Sequence, residues 1–307
     1  MYADLLEGIF QRNDLADEPA RAAHLRSLQP YARRLWQSYR QPEVIIDYAH
    51  PKTQEAYLLR YFPFYRWPLV AEMNRLHDNG WALPRNELLE AAFFGCGPCP
   101  EIIGLMQHLV NVGSPTTMIS AQLVDSAAES WAYSRDLVLE HLTEPAWEPR
   151  LVDYVPTPAC LTKKETLASA SINGCHFAVV QNCLNEVPWQ HIDCVVENIM
   201  SQFARLAPGA IALVIDRSNY PATSQMMRKM HAHAKDSEYI VPIGVEEPER
   251  SPIDCLGTLS NVPEIVTNNL FHRHGDIEPN DWDTNGLIFS KKINYISMAF
   301  QVGCAAA

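Results

Sequence analysis

Positive charge is scarce in this chain: 24 lysines and arginines face 36 aspartates and glutamates, a net charge of −12 over 307 residues. Such a balance repels an extended phosphate backbone unless a local basic patch overrides it. The densest basic groups are Arg21, Arg26, Arg33, Arg34 and Arg40, and later Arg228–Lys229. Asp14, Asp17, Glu18 and Glu43 dilute the first of these, so both read as solvated helical faces. A small-molecule acceptor is expected, with a protein second and nucleic acid disfavoured. No apolar run approaches the length of a membrane span, and Met1-Tyr2-Ala3-Asp4 lacks the basic-then-apolar order of a signal peptide. No membrane partner and a cytoplasmic location are therefore expected. Eight cysteines are too few for a dense disulfide framework, and Cys175, Cys183 and Cys194 fall inside expected strands or helices as packed thiols. No second C-x-x-C or H-x-x-x-H pairs with Cys96 and Cys99, so no metal is expected, a zinc half-site or redox switch being the minor alternative. Internal repeats and low-complexity segments are absent. What remains is 47% hydrophobic and 20% charged, the proportions of a globular protein longer than one minimal domain. A homodimer is compatible with all of this.

The segment from Leu88 to Val110 carries the most chemistry. Ala91, Ala92, Phe93 and Phe94 form an apolar run expected of a parallel strand buried on both faces. Ile102, Leu105, Met106 and Leu109 then recur at helical spacing, so a helix is expected from Pro100 or Glu101. Between them lies Gly95-Cys96-Gly97-Pro98-Cys99. Glycines there permit a sharp turn and close approach of a ligand, and the helix start offers free N–H groups. Cys96-Gly97-Pro98-Cys99 resembles the thioredoxin active site. Against that reading, Gly95 stands where thioredoxins carry Trp, and about two thirds of the chain lies beyond the motif.

Downstream of this turn comes a series of segments in register. Thr117 to Asp125 reads as a second strand ending in a carboxylate, 28 residues after Gly97, near the spacing at which a Rossmann-type acid meets ribose hydroxyls. His176 to Gln181 reads as a fourth strand, with the loop Asn182-Cys183-Leu184-Asn185-Glu186 after it. Leu206-Ala207-Pro208-Gly209-Ala210 and Ile211 to Asp216 read as a turn and a fifth strand. Together these resemble class I S-adenosylmethionine (SAM) methyltransferases. The resemblance implies SAM as cofactor and a Rossmann-like α/β sheet with helices on both faces. It assigns cofactor contacts to Gly95, Cys96, Gly97, Pro98, Asp125, Ser126, Asp153, Tyr154, Asn182, Cys183 and Leu184, with Asp125 on the ribose and Asp153–Tyr154 beside the adenine. All are expected at the carboxyl edge of the sheet, where ligands bind in such folds. The bland alternative for Asp125 is a helix-capping carboxylate, and for Asn185 a turn residue.

Two departures stand out. Phe93 occupies the place where many such enzymes carry an acid, two residues before the first glycine. The form G-x-G-P-x-P also resembles nicotianamine synthases, which transfer an aminocarboxypropyl group, so that transfer is the first alternative activity. A methyltransferase-like assembly factor or macromolecule methyltransferase is the second. Methyl transfer to oxygen or nitrogen needs positioning and sometimes a general base. Glu186 and Tyr61 are the catalytic candidates, and Asp216 and the pair His272/His274 are further possible bases.

The organisation expected is an N-terminal helical cap or lid over residues 1–85 and a SAM-binding domain over 86–307, with an irregular insertion at about 246–290. Tyr57 to Pro68 interleaves aromatics with arginines, which reads as packing or as a lid. Tyr57, Arg60, Tyr65, Asn185 and His272 are the acceptor-binding candidates. Helix is expected over 55–62, interrupted at Pro63 and resuming near Pro68. Further helices are expected over 130–141, 191–206 and 221–235, a short third strand over 151–155, another strand over 239–245, and an antiparallel final strand over 294–302.

Overall fold

The computed structural model describes residues 2–41, 44–142, 150–244, 247–272, 286–290 and 292–303. In chain order the elements are α1 (Tyr2–Arg12), α2 (Glu18–Ser38), α3 (Pro51–Arg60), α4 (Phe62–Asp78), β1 (Leu88–Phe94), α5 (Pro100–Asn111), β2 (Met118–Asp125), α6 (Ala132–Leu142), β3 (Arg150–Pro158), α7 (Lys164–Leu167), β4 (Phe177–Gln181), α8 (Ile192–Phe203), β5 (Ile211–Arg217), α9 (Pro221–Lys235), β6 (Ile240–Ile243), β7 (Glu249–Asp254), α10 (Leu256–Leu259), α11 (Glu264–Asn269) and β8 (Lys292–Val302). Two short 3-10 turns, Leu184–Glu186 and Trp189–His191, lie between β4 and α8.

The chain forms two compact units. The first gathers Met1–Tyr65, Ser130–Glu144 and Ile253–Ile293; the second gathers Arg66–Glu129, Pro145–Pro252 and Asn294–Ala307. In the first, Leu5, Ile9, Leu25, Leu28 and Leu59 are fully buried. A buried acid, Glu55, is fully engaged there: Asn13 Nδ2 and the Tyr133 hydroxyl donate to Oε1 at 2.8 and 2.6 Å, and His24 Nε2 lies 2.8 Å from Oε2. Gln54 Oε1 accepts from both the backbone N–H and the hydroxyl of Ser134. Such satisfied polar groups tie α1, α2, α3 and α6 together and need no ligand to explain them.

The second unit is built on the sheet. Its strand order is β3-β2-β1-β4-β5-β8-β6, with β7 pairing β8 off this path. Strands β1 to β5 are parallel, while β8 runs antiparallel to both β5 and β6. This is a Rossmann-like open sheet: an outward winding in one direction from β1 to β3, a reversal at β4, and one antiparallel strand inserted near the far edge. β4 is buried throughout and β1 over its last four residues, as the continuous apolar runs require of strands covered on both faces. Helix α5 crosses α4 closely enough that a Cβ at Gly104 would lie 2.8 Å from the Arg66 carbonyl. No helix among the described residues is long and apolar enough to cross a membrane.

Three expectations need correction. The helical break falls at Tyr61 rather than Pro63, because Pro63 sits in the first turn of α4, where its missing N–H costs nothing, and Pro68 lies inside that helix. The stretch 246–290 is not wholly irregular, since β7, α10 and α11 form within it. Finally, β3 extends to Pro158, which moves its carboxyl end well past residue 155.

Candidate active site

In an open sheet of this kind the ligand crevice opens outside the carboxyl ends of the strands where the winding reverses, here between β1 and β4. After Phe94 the chain turns through Gly95, Gly97 and Cys99 at φ of +62°, +52° and +57°. A non-glycine residue in that region is strained. Cys99 adopts it as the N-cap of α5 without offering a side-chain cap. Gly95 is there for a second reason: its added Cβ would lie 2.4 Å from Cys183 Cβ and 2.5 Å from Cys183 Sγ. The loops after β1 and β4 are thus in direct contact.

Asp125 ends β2 and is 8% exposed. The Gly97 N–H donates to its Oδ2 at 2.9 Å and the Ala127 N–H to its Oδ1 at 2.7 Å. One carboxylate therefore braces the glycine loop from below and also starts the turn after β2. Opposite, the loop after β4 is braced by Asp216, fully buried at the end of β5. Its Oδ2 accepts from the Leu184 N–H at 2.8 Å and the Asn185 N–H at 3.4 Å, and its Oδ1 from the Arg217 N–H at 2.6 Å. Burial pushes this acid up to about 6 against those donors. Two of these three partners, Leu184 and Asn185, make Asp216 the holder of the Leu184–Glu186 turn. Asn182, at φ +54°, lets the chain leave β4 sharply, and Glu186 closes the turn half-buried.

A group not singled out from the sequence lies in the same crevice. Glu101, in the first turn of α5, is 3% exposed. The Cys99 thiol and the Gln181 amide hydrogen-bond to its carboxyl, yet Oε2 has no hydrogen-bond partner. Burial, reinforced by the charge of Asp125, pushes this acid up to about 8. Its sequence signal was an acid in phase with buried Leu105 and His108 on one helical face. Around Cys183 the crevice gathers four carboxyls: burial raises its thiol well above the usual range, and Asp216, Glu186, Asp125 and Glu101 add to that shift.

The cysteines behave as packing. Cys96 and Cys99 are buried, and burial together with a hydrogen bond that Cys99 donates to Cys96 raises the Cys99 thiol well above its ordinary value. A redox-active pair needs the opposite shift. Among the described residues no group of three or more His, Cys, Asp or Glu side chains is placed to hold a metal ion.

Of the residues expected to bind cofactor, Gly95, Cys96, Gly97, Pro98, Asp125, Ser126, Asn182, Cys183 and Leu184 lie at the carboxyl ends of β1, β2 and β4, and Asn185 and Glu186 come next. Asp153 and Tyr154 do not. They pair with Ser120 and Ala121 in mid-strand, and the residue opposite Asp125 is Pro158. The edge beside Asp125 is instead Pro158–Ala159, whose Ala159 N–H donates to the Asp125 carbonyl. Tyr57, Arg60, Tyr61, Tyr65 and His272 belong to the first compact unit. There Tyr61 lies 5.3 Å from Tyr57 and 5.6 Å from Tyr65, ring centre to ring centre. Arg60 is buried, donates to the carbonyls of Gly286 and Ile288, and lies over the rings of Tyr61 and Phe271. His272 bridges the same segment at Ile288. His274 lies outside the described residues.

No protein-family model matches the chain, and no curated protein matches it in sequence. Solved structures align with it by structure. The plantazolicin methyltransferase BpumL in complex with SAH aligns over 90% of this chain and 97% of its own, with 11% identity and a TM-score of 0.42. A StiE O-MT segment covers 90% of each chain at 10% identity and a TM-score of 0.39. An O-methyltransferase family protein from Burkholderia thailandensis aligns over 92% of this chain and 70% of its own, at 13% identity and a TM-score of 0.35.

Proposed function

We propose that the chain is a SAM-dependent methyltransferase acting at oxygen or nitrogen of a small-molecule acceptor. The observation that carries this reading is the charge of the switch-point crevice. Asp125, Asp216 and Glu186 lie near Cys183, with Glu101 beside them as a fourth acid, so a cationic ligand is favoured there. A dinucleotide, whose pyrophosphate must approach the same helix start, meets like charge instead. The residues present also fit a nucleoside: bare backbone at Gly95 and Gly97, a carboxylate at the end of β2, and one buried carboxyl oxygen without a partner.

SAM, when bound, supplies a methyl group on a sulfonium centre. The chain's part is to bind, orient and exclude water. Asp125 takes the ribose hydroxyls while it fixes the Gly97 N–H. Asn182, Cys183 and Leu184 border the methionine portion, with Leu184 fully buried and Cys96 nearly so to keep water out. Glu186 accepts the proton of the acceptor group, as a carboxylate at the end of a braced turn can. Asn185 is the acceptor contact on the same turn. The net charge of −12 supports a small acceptor over a nucleic acid.

Calorimetry with SAM, SAH and NAD tests the reading. SAM and SAH are expected to bind in roughly the micromolar range, with NAD giving no heat. NAD binding, or silence with both SAM and SAH, overturns it. Product analysis on turnover then separates the transferred groups, since methyl transfer leaves SAH and aminocarboxypropyl transfer leaves methylthioadenosine.

A further inference from the structure

Glu101 is a buried acid of the crevice with one carboxyl oxygen left unmet. Its carboxyl is sealed from water, receives hydrogen bonds from the Cys99 thiol and the Gln181 amide, and leaves Oε2 without a partner. A buried polar atom in that condition is expensive unless something meets it in a functional state. Its place is informative. Gln181 is the last residue of β4, and Cys99 precedes α5 after β1, so Glu101 sits between the two strands at which the winding reverses. At the end of β1 itself, the fully buried Phe93 offers no charge.

We infer that Glu101 binds the α-ammonium of the cofactor's amino-acid portion, and that it does so by giving up its own proton. This rests on the SAM reading. The carboxyl O–H bond breaks, the proton passes to solvent, and the resulting carboxylate pairs with the incoming ammonium. The surroundings make the ligand-free chain hold that proton. Facing Glu101 are Asp125 at the end of β2, the thiols of Cys99 and Cys183, and the Gln181 amide of β4; none of these is a cation. On α4, which packs on α5 at Gly104, Arg66 lays its guanidinium over the Trp67 ring, 4.4 Å from the centroid. Consistent with this, the acid is pushed up to about 8 and is protonated in the ligand-free chain at neutral pH. An ammonium supplies the missing positive charge, and an uncharged ligand end does not. Glu101 thus selects for the amino group, while Asp125 is left for the ribose.

The test is calorimetry at pH 7 in two buffers of different ionisation enthalpy, with SAH and with its analogue lacking only the α-amino group. For the wild-type chain SAH is expected to release about one proton and to bind at least about tenfold more tightly than the desamino analogue, which releases none. In Glu101→Gln, proton release disappears, SAH affinity drops by about tenfold or more, and the preference for the amino group shrinks to about twofold or less. The wild-type measurements stand without the variant, and far-UV circular dichroism confirms that the variant is folded. SAH binding without proton release, or a Glu101→Gln chain that keeps the full preference for the amino group, overturns this inference and leaves the SAM reading intact. A wild-type chain that binds neither ligand overturns both.

Discussion

Asp125 has two duties that compete in any mutational test. Its carboxylate accepts the Gly97 and Ala127 N–H groups, and on the SAM reading it also meets the ribose hydroxyls. Removing it should cost on both accounts. Asp125→Ala is expected to weaken SAH binding by about 2–3 kcal/mol, the scale of charge-assisted hydrogen bonds. It should also lower stability by about 1–2 kcal/mol, because a buried and a part-buried donor lose their acceptor. Titration calorimetry and urea unfolding on the same preparation separate the terms. A variant that loses stability but keeps its SAH affinity would make Asp125 a brace only. Cys183 shows why side-chain identity matters at this scale: it touches Gly95, so the first glycine of the loop is demanded by a protein neighbour before any ligand arrives.

At the scale of elements, the contact of α4 with α5 turns on Gly104. An exposed helical glycine replaced by alanine usually gains about 0.5–1 kcal/mol. Here the new methyl group meets the Arg66 backbone carbonyl at 2.8 Å, and a backbone atom of a packed helix yields little. Gly104→Ala is therefore expected to destabilise by about 1–3 kcal/mol, read from chemical unfolding; a gain in stability would mean that α4 gives way freely. Such a contact has no sequence signature, since Gly104 looks like any small residue on an apolar helix. Elements with strong local patterns were legible: α9 spans Pro221–Lys235 as its periodicity demands, and β8 is the antiparallel last strand. The third strand was cut short because β3 is an edge strand with exposed Asp153 and two prolines, so its pattern lacks the continuous apolar run of β4. Assembly of Ser130–Glu144 and Ile253–Ile293 with the N-terminal helices was not legible at all, because local periodicity carries no record of which distant faces meet. Within the site, the glycine loop, Asp125 and Asn182–Glu186 could be found from motifs. Glu101 carries no such motif: an acid in the first turn of a helix is one that the helix dipole favours anyway.

For the molecule as a whole, the buried titratable groups set a direction for stability against pH. Glu101 is raised to about 8 and Asp216 to about 6, so the folded chain binds more protons than the unfolded one above about pH 4. Stability from these two acids is fully present below their unfolded values and is lost as pH rises through their folded ones. His108 opposes them: burial lowers it to about 4, so the fold gains as pH rises from there toward about 6.5, the unfolded value. Between about pH 4 and 6 two acids outweigh one histidine; from about 6 to 6.5 Glu101 and His108 nearly cancel; from about 6.5 to 8 Glu101 acts alone. Above that, Cys255 and Cys175, raised by burial to about 11 and about 12, carry the decline further. A net charge of −12 adds self-repulsion in the same alkaline direction, and added salt screens it. Urea unfolding is therefore expected to show stability falling from pH 5.5 to pH 9. Sodium chloride at a few hundred millimolar should recover the diffuse part of that loss, while the contribution of the sealed Glu101 carboxyl stays. Glu101→Gln should flatten the fall between pH 6.5 and 8, leaving the variant more stable than the wild type at pH 9 by on the order of a few kcal/mol relative to their difference at pH 5.5. Parallel profiles for the two chains across that window would show that Glu101 keeps an ordinary acidity in the fold, and would remove the physical basis for a proton held there in the ligand-free chain.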